Sequence, residues 1–214
     1  VYALLKDGVA TSTRASDGSI RGQTVKVIDW DTADNNDFFL ASQFWVAGDL
    51  GRKRPDLIGF INGLPLVFIE LKALHVSAKD AYDKNLADYK ETIPQLLWYS
   101  ALIIFSNGSE SRIGTISSSW EHFVEWPKVE SEQESRTVSI ETMVRGTCEK
   151  NRLLDLIENF ILFTEAFGAP AKILAKNHQF LGVNNSIQAL QGLEENNGRL
   201  GVFWHNQGSG KSYS

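Results

Sequence analysis

Cysteine and methionine are almost missing from this 214-residue sequence, which holds one of each. The single thiol, Cys148, excludes an internal disulfide and a zinc site built from cysteines. It is typical of a reducing compartment, and we expect a cytoplasmic location. Long apolar runs are missing too, because the longest, residues 96–105, is interrupted by Ser100. A membrane-spanning helix needs about 18 such residues, so we expect no membrane contact.

A secretory signal is also lacking, since no cationic segment followed by an apolar one opens the chain. We nevertheless expect residues of the first domain to precede Val1. Basic residues are in deficit: 21 Lys and Arg against 26 Asp and Glu give a net charge of −5. This sign argues against tight binding of a polyanion through bulk charge alone. The 43% hydrophobic content excludes a disordered chain, and the length predicts one domain with part of a second.

The strongest local pattern is a hairpin centred on Asn62-Gly63. This dipeptide separates two apolar runs, residues 55–61 and 64–72, and Asn-Gly between such runs is the best short-range hairpin signal. The second run is apolar on both faces, which predicts a central, buried strand.

The other patterns predict an α/β fold with a mixed central sheet flanked by helices, followed by the start of a second domain. The first third of the chain predicts short strands and loops. We expect helices at 77–91, 151–166 and 181–193, strands at 101–106, 112–117 and 200–204, and a solvated excursion at 128–136. Gly168-Ala169-Pro170 predicts a boundary between units at 1–167 and 168–214.

Charged side chains stand at one end of the predicted hairpin. Glu70 and Lys72 close the second strand and share a face, since side chains alternate along a strand, while Asp56 opens the first strand. Two close carboxylates repel unless a proton or a divalent cation lies between them, and Mg²⁺ prefers such oxygen ligands. These residues predict a Mg²⁺ site in which Lys72 steadies charge on an attacked phosphate.

The register of the hairpin sets a condition on this site. A strict two-residue turn pairs Ile61 with Leu64 and therefore Asp56 with Ile69, on the face opposite Glu70. A bulge between Asp56 and Glu70 is required, and Gly59 is the expected place for it. A purely structural interpretation stays open, in which Lys72 forms a buried salt bridge with Glu70 or Asp56.

The segment from Arg54-Pro55-Asp56 to Glu70-Leu71-Lys72 resembles the PD-(D/E)-x-K nuclease motif. With Asn62-Gly63-Leu64-Pro65 in its turn, it is similar to the N-terminal nuclease domain of the type I restriction enzyme R (motor) subunit. Further stretches resemble the same family: Asn36-Asp37-Phe38, Gln43-Phe44, Ile93-Pro94, Ser106-Asn107-Gly108 and residues 204–212. The family also has an N-terminal helix that can contribute an acidic ligand, and the residues before Val25 contain no match for it.

The resemblance implies a nuclease domain at 1–167 and the first elements of a P-loop motor at 168–214. It implies that Asp56 and Glu70 ligate Mg²⁺, that Lys72 orients or activates the attacking water, and that the product is cleaved double-stranded DNA. Related nucleases often carry Gln-x-x-x-Tyr on the next helix, and Asn85 and Tyr89 have this spacing here with a shorter amide. Their contact with DNA, or a plain packing role for Tyr89, stays open.

Two further groups are candidates for ligand binding. Arg52, Lys53 and Arg54 either contact phosphates beside the cut or form a solvated loop. Gly208-Ser209-Gly210-Lys211-Ser212 after a predicted strand is typical of an ATP-binding P-loop, although His205 stands where the pattern's first glycine belongs. Gln179 is a candidate for reading adenine or an ordinary residue at a helix start. The elements that complete an ATP site are absent, so we expect this piece to bind ATP poorly.

Taken together, the residues and the resemblance predict a Mg²⁺-dependent DNA endonuclease. Its partners would be the methyltransferase and specificity subunits of a restriction-modification complex, with ATP used by the full-length subunit. A non-catalytic docking module of the same fold and an ATPase with a decayed nuclease part are the alternatives.

Overall fold

The computed structural model describes residues 2–166, 169–195, 197–202, 204 and 206–210. His205, Lys211 and Ser212 of the predicted phosphate loop lie outside the described residues. No helix in the described part of the chain is long and apolar enough to cross a bilayer.

Short elements alternate along the chain. The helices are α1 (Tyr2–Asp7), α2 (Ala78–Asp80), α3 (Ala87–Thr92), α4 (Pro94–Leu97), α5 (Ile140–Thr147), α6 (Lys150–Asn159) and α7 (Asn177–Gln191), with a π-helical segment at Ala81–Leu86. The strands are β1 (Val9–Arg14), β2 (Ile20–Val25), β3 (Phe38–Ser42), β4 (Val46–Gly48), β5 (Gly51–Lys53), β6 (Leu57–Ile61), β7 (Leu64–Leu71), β8 (Leu102–Ser106), β9 (Ser111–Gly114), β10 (Ile161–Ala166) and β11 (Ala169–Leu174).

A five-stranded sheet in the order β3-β6-β7-β8-β9 forms the centre of the fold. Its pairs are antiparallel except for β7 and β8, which are parallel. The predicted mixed sheet with flanking helices is therefore confirmed. β8 is buried along its whole length, and apolar side chains of β7 fill the cores on both faces of the sheet.

The predicted hairpin is β6 and β7. Asn62 and Gly63 both have positive φ, 50° and 81°, which is the geometry of the tight turn that Asn-Gly favours. The Asn62 amide donates to the carbonyl oxygen of Val27 and to Oδ1 of Asn36, so the turn is fixed to the first third of the chain.

The predicted helix at 77–91 is confirmed, with one addition. Ser77 caps it by accepting a hydrogen bond from the Lys79 N–H at 3.2 Å, and α3 ends at Thr92, two residues before Pro94. The π-helical segment between α2 and α3 was not predicted, because a single-turn widening leaves no periodic signal in the sequence.

The predicted helix at 151–166 is wrong beyond Asn159, where α6 ends. Residues 161–166 form β10, which pairs with β11 from Ile161 opposite Leu174 to Ala166 opposite Ala169. A short apolar run rich in β-branched and aromatic residues suits either element, and here a partner strand decides in favour of β. The boundary expected at 167/168 thus falls between two strands that pair with each other.

Side-chain hydrogen bonds tie this hairpin to the central sheet. Lys172 donates from Nζ to the Ser100 carbonyl at 2.6 Å, and the Thr115 hydroxyl donates to the Lys172 carbonyl at 2.7 Å. Residues up to Leu174 therefore pack with the first unit. The predicted helix that follows is confirmed as α7, although it begins at Asn177 rather than residue 181.

The strand predicted at 200–204 is wrong for the part the structure describes. Leu200, Gly201, Val202 and Trp204 adopt no strand, and Val202 and Trp204 are exposed. An apolar run becomes a strand only when a neighbouring strand completes its hydrogen bonds, and none of the described strands pairs with this segment.

The helix α1 was not predicted. Its Tyr2 hydroxyl donates to the Ile157 carbonyl, which fixes α1 against α6. Burial and the nearby Glu158 carboxylate raise the pKa of Tyr2 to about 12. Tyr2 and Leu5 pack on the sheet face of Val67 and Ile69, whereas Phe68 packs with α3 on the other face. Because Glu70 follows that alternation, it shares the α3 face.

Candidate metal centre

A β-bulge sets the geometry of the hairpin end. Phe60 pairs with Pro65 and Gly59 pairs with Val67, so Leu66 is one extra residue in β7. The shift pairs Leu57 with Ile69, and the next position brings Asp56 beside Glu70. A bulge between Asp56 and Glu70 was predicted and is present, but its extra residue is Leu66 in β7 and not Gly59 in β6, where the register shifts. A Cβ added to Gly59 would lie 3.1 Å from Cβ of Val67, so a larger residue here would press on the partner strand beside the bulge.

Asp56 is held by two hydrogen bonds that leave coordination capacity on both carboxylate oxygens. Its Oδ1 accepts from the Gln43 side-chain amide at 2.8 Å, and its Oδ2 accepts from the Leu71 N–H at 2.9 Å. Each carboxylate oxygen has two acceptor positions, so one remains on each. The bond to Leu71 places this carboxylate against the chain segment between Glu70 and Lys72.

Glu70 is buried, with 3% of its surface exposed. Its Oε1 lies 3.2 Å from Lys72 Nζ, and the Tyr89 hydroxyl donates to Oε1 and Oε2 at 3.4 and 3.3 Å. The Lys72 contact is the salt bridge of the structural interpretation, and the same contact places an ammonium beside the paired carboxylates.

Electrostatics at Glu70 are unfavourable in the absence of a cation. Burial, and then repulsion from the Asp56 carboxylate, raise the pKa of Glu70, although attraction to Lys72 opposes them. The net rise in this pKa means that attraction to the Lys72 ammonium does not offset burial and the Asp56 charge together. A divalent cation between the carboxylates would supply the missing charge.

The helix that follows the hairpin contributes the predicted Asn85 and Tyr89. Asn85 lies in the π-helical segment, one helical turn before Tyr89. Burial and the neighbouring Glu70 raise the pKa of Tyr89, so it remains a neutral donor. With 5% of its surface exposed, Tyr89 contacts Glu70 rather than presenting a face to solvent.

The basic run beside Asp56 is divided among different partners. Lys53 forms an ion pair with Asp88 of α3 at 2.6 Å, and the Arg54 guanidinium lies 5.2 Å from the centre of the Trp45 ring. Arg52 is exposed on β5. Two guanidinium groups therefore stand on the solvent side of the same chain segment that leads into Asp56.

The donor set suits a hydrated oxygen-loving cation. Among the described residues, no group of three or more His, Cys, Asp or Glu side chains is placed to enclose a metal. Mg²⁺ needs only one or two carboxylates, because it retains several waters. Asp56 and Glu70 fit that requirement, and Mg²⁺ at this place stays a prediction.

The described part of the P-loop candidate contacts the start of α7. Gln179 accepts from the Lys176 N–H at 2.8 Å and donates to the Gly210 carbonyl at 2.8 Å, while His178 bonds the Ser209 carbonyl. Gly208 and Gly210 have positive φ. The Gln179 amide is thus engaged on both ends, and reading adenine would require both of these bonds to break.

One residue at the site was missed by sequence reasoning. Gln43 follows β3 and has φ of 52°, in the left-handed region that glycine favours. Besides its side-chain bond, its N–H donates to the Asp56 carbonyl at 2.8 Å. The Gln43-Phe44 dipeptide carries family likeness, but nothing local indicates contact with a residue 13 positions away.

Comparison with known proteins places this α/β domain, with two acidic side chains and a lysine at one end of its sheet, among restriction-system proteins. The model of the family Type I restriction enzyme R protein N terminus matches residues 1–122. The chain therefore belongs to the N-terminal family of type I restriction enzyme R proteins. The match covers more than half of the chain and includes the whole β6–β7 hairpin, α2 and α3.

Curated relatives extend the similarity over the full chain. The Type I restriction enzyme HindI endonuclease subunit of Haemophilus influenzae is 35% identical over 100% of this chain and 21% of its own length. The Putative type I restriction enzyme MjaIXP endonuclease subunit of Methanocaldococcus jannaschii is 30% identical over 99% of this chain and 22% of its own length. The chain spans about a fifth of the length of these relatives.

Proposed function

We propose that this domain cuts double-stranded DNA in a Mg²⁺-dependent reaction, as the nuclease part of a type I restriction R subunit. The observation that carries the proposal is the bulge at Leu66, because it brings onto one face of the sheet two carboxylates that a regular hairpin would place on opposite faces. The endonuclease names of the relatives support the same reaction class.

Asp56 and Glu70 would hold Mg²⁺, which when bound supplies positive charge for the attacked phosphate. Lys72, beside Glu70, orients the attacking water and stabilises the developing negative charge. Tyr89 holds the Glu70 carboxylate through its hydroxyl, and Asn85 lies one helical turn before Tyr89. We assign this pair to the geometry of the metal ligand before any contact with DNA.

Arg52 and Arg54 would bind phosphates flanking the cut, since both lie next to the Asp56 segment on its exposed side. Lys53 would join them only if its ion pair with Asp88 opens. The chain has a net charge of −5, so these contacts position DNA rather than capture it. Capture would come from the rest of the subunit and from the specificity and methyltransferase subunits. ATP, which the P-loop motif at residues 208–212 would help to bind, would drive translocation in the full-length subunit.

The test is Glu70→Ala in the full-length R subunit assembled with its partner subunits. We expect plasmid cleavage with Mg²⁺ to be lost while DNA-dependent ATP hydrolysis persists. Glu110→Ala is the matched control, since Glu110 precedes β9, forms a 2.7 Å ion pair with Arg112, and is separated from the Asp56 strand by β7 and β8. Unchanged cleavage by Glu70→Ala would reject the nuclease and favour the docking module.

A further inference from the structure

We propose that Gln43 is a positioning residue that fixes the orientation of the Asp56 carboxylate and thereby sets the affinity of the centre for Mg²⁺. The inference rests on the proposed function, because it takes Asp56 to be a metal ligand. The juxtaposition that carries it is a double hydrogen bond from one residue, backbone to backbone and amide to carboxylate.

The first observation is the connection itself. The Gln43 N–H donates to the Asp56 carbonyl at 2.8 Å, which continues the β3–β6 ladder one position beyond Ser42 and Leu57. The Gln43 side chain then donates to Asp56 Oδ1 at 2.8 Å. The same residue therefore locates both the main chain and the carboxylate of Asp56.

The second observation is the backbone of Gln43. Its φ of 52° is unusual for a residue with a long side chain, because this left-handed region is adopted more readily by glycine or asparagine. Strained residues of this kind persist where the surrounding structure requires them, often beside functional groups. Gln43 is exposed, so burial of its side chain does not explain the conformation.

The third observation is complementarity with the opposite side of the carboxylate. Leu71 N–H holds Oδ2 from β7, and Gln43 holds Oδ1 from the end of β3. Two donors on different strands define the plane of the carboxylate and direct its remaining acceptor positions. Outer contacts of this kind orient ligands in metal sites, and their loss costs about 10- to 100-fold in metal affinity.

The experiment uses Gln43→Ala and Gln43→Asn in this chain for Mg²⁺ titration by calorimetry, and in the assembled full-length subunit for cleavage. Alanine removes the donor. Asparagine tolerates the left-handed backbone better than glutamine but is one methylene shorter, so its amide does not reach Asp56 in the same way. We expect both variants to bind Mg²⁺ about 10- to 100-fold more weakly.

The Gln43 effect should appear in the Mg²⁺ requirement and not in DNA binding. Cleavage should return towards the parent rate at saturating Mg²⁺, with the KM for DNA unchanged. Gln95→Ala is the control, because Gln95 donates to the Ala47 carbonyl at the same 2.8 Å without touching Asp56. This control should shift thermal stability only.

The outcomes separate the two proposals. If the parent binds Mg²⁺ and loses it in Glu70→Ala, but Gln43→Ala and Gln43→Asn bind it as the parent does, the role of Gln43 is refuted and the proposed function stands. A raised KM for DNA with an unchanged Mg²⁺ requirement refutes it also, since Gln43 would then contact the substrate. A parent that neither binds Mg²⁺ nor cleaves overturns both.

Discussion

Replacing Glu70 with glutamine should stabilise the metal-free protein while removing its response to Mg²⁺. The side chain keeps its shape and one acceptor oxygen for Tyr89, so packing is retained. What is lost is a buried negative charge whose pKa is raised by burial and by Asp56 in spite of Lys72. A carboxylate with a raised pKa destabilises the fold when it is ionised, and neutralising it removes this cost.

The expected gain is about 0.5–2 kcal/mol, the usual yield when a functional site is relieved of an unfavourable group. For a chain of this size each kcal/mol moves the Tm by about 2–4 °C. The parent should gain about 1.4 kcal/mol from Mg²⁺ at ten times its Kd, whereas Glu70→Gln should gain almost nothing. Adding Mg²⁺ should therefore reduce the difference in Tm between the parent and Glu70→Gln, or reverse its sign.

Thermal unfolding followed by circular dichroism, with and without Mg²⁺, measures both quantities in this chain. Glu110→Gln is the control, and its loss of a half-exposed ion pair should cost about 0–1 kcal/mol and leave the Mg²⁺ response intact. If Glu70→Gln lowers the Tm without metal and still responds to Mg²⁺ as the parent does, the Lys72–Glu70 pair is structural and the reasoning fails.

Three further predictions concern the bulge and two titrating groups. Gly59→Ala should lower the free energy of unfolding in urea by about 1–2 kcal/mol, because the added Cβ would lie 3.1 Å from Val67. The control Gly22→Ala, whose Cβ would meet nothing within 4 Å, should change it by no more than about 0.5 kcal/mol. Equal effects of the two substitutions would contradict a role for the close approach at Gly59. Mg²⁺ affinity should begin to fall at a higher pH than for an ordinary glutamate, since protons compete for Glu70 and its pKa is raised; a calorimetric pH series that declines only in the usual glutamate range would contradict this. Stability should be lost as pH rises from 10 towards 12, because the Tyr2 phenol ionises at its ordinary pKa of 10.0 when unfolded but at about 12 when folded; Tyr2→Phe should remove that part of the loss, and an unchanged alkaline profile would count against it.

Local chemistry explains which parts of the fold were predictable. Asn62-Gly63 defines its own turn, and a metal site that uses Asp56 and Glu70 requires both carboxylates on one face, so the spacing predicts the bulge that the structure contains. The apolar run of β10 has no clear period, so the sequence alone does not distinguish a strand from a helix there. Pairing with β11 makes it a strand, and this pairing has no signal within the run itself.

The contacts that complete the metal centre, like the pairing of β10, depend on the folded structure and leave no local signal in the sequence. Gln43 reaches Asp56 only because β3 pairs with β6, and its left-handed backbone has no residue signature. The π-helical segment that contains Asn85 also has no recognisable pattern in the sequence. Candidate ligands could thus be named from spacing, whereas the residues that orient them could not.

A crystal of this chain soaked in Mn²⁺, with anomalous scattering measured at the manganese edge, tests the central claim most directly. We expect one strong peak in contact with carboxylate oxygens of both Asp56 and Glu70, with the Lys72 ammonium beside it. A crystal with no peak there, or with the ion bound elsewhere while these two carboxylates keep their present partners, would contradict a metal centre at Asp56 and Glu70.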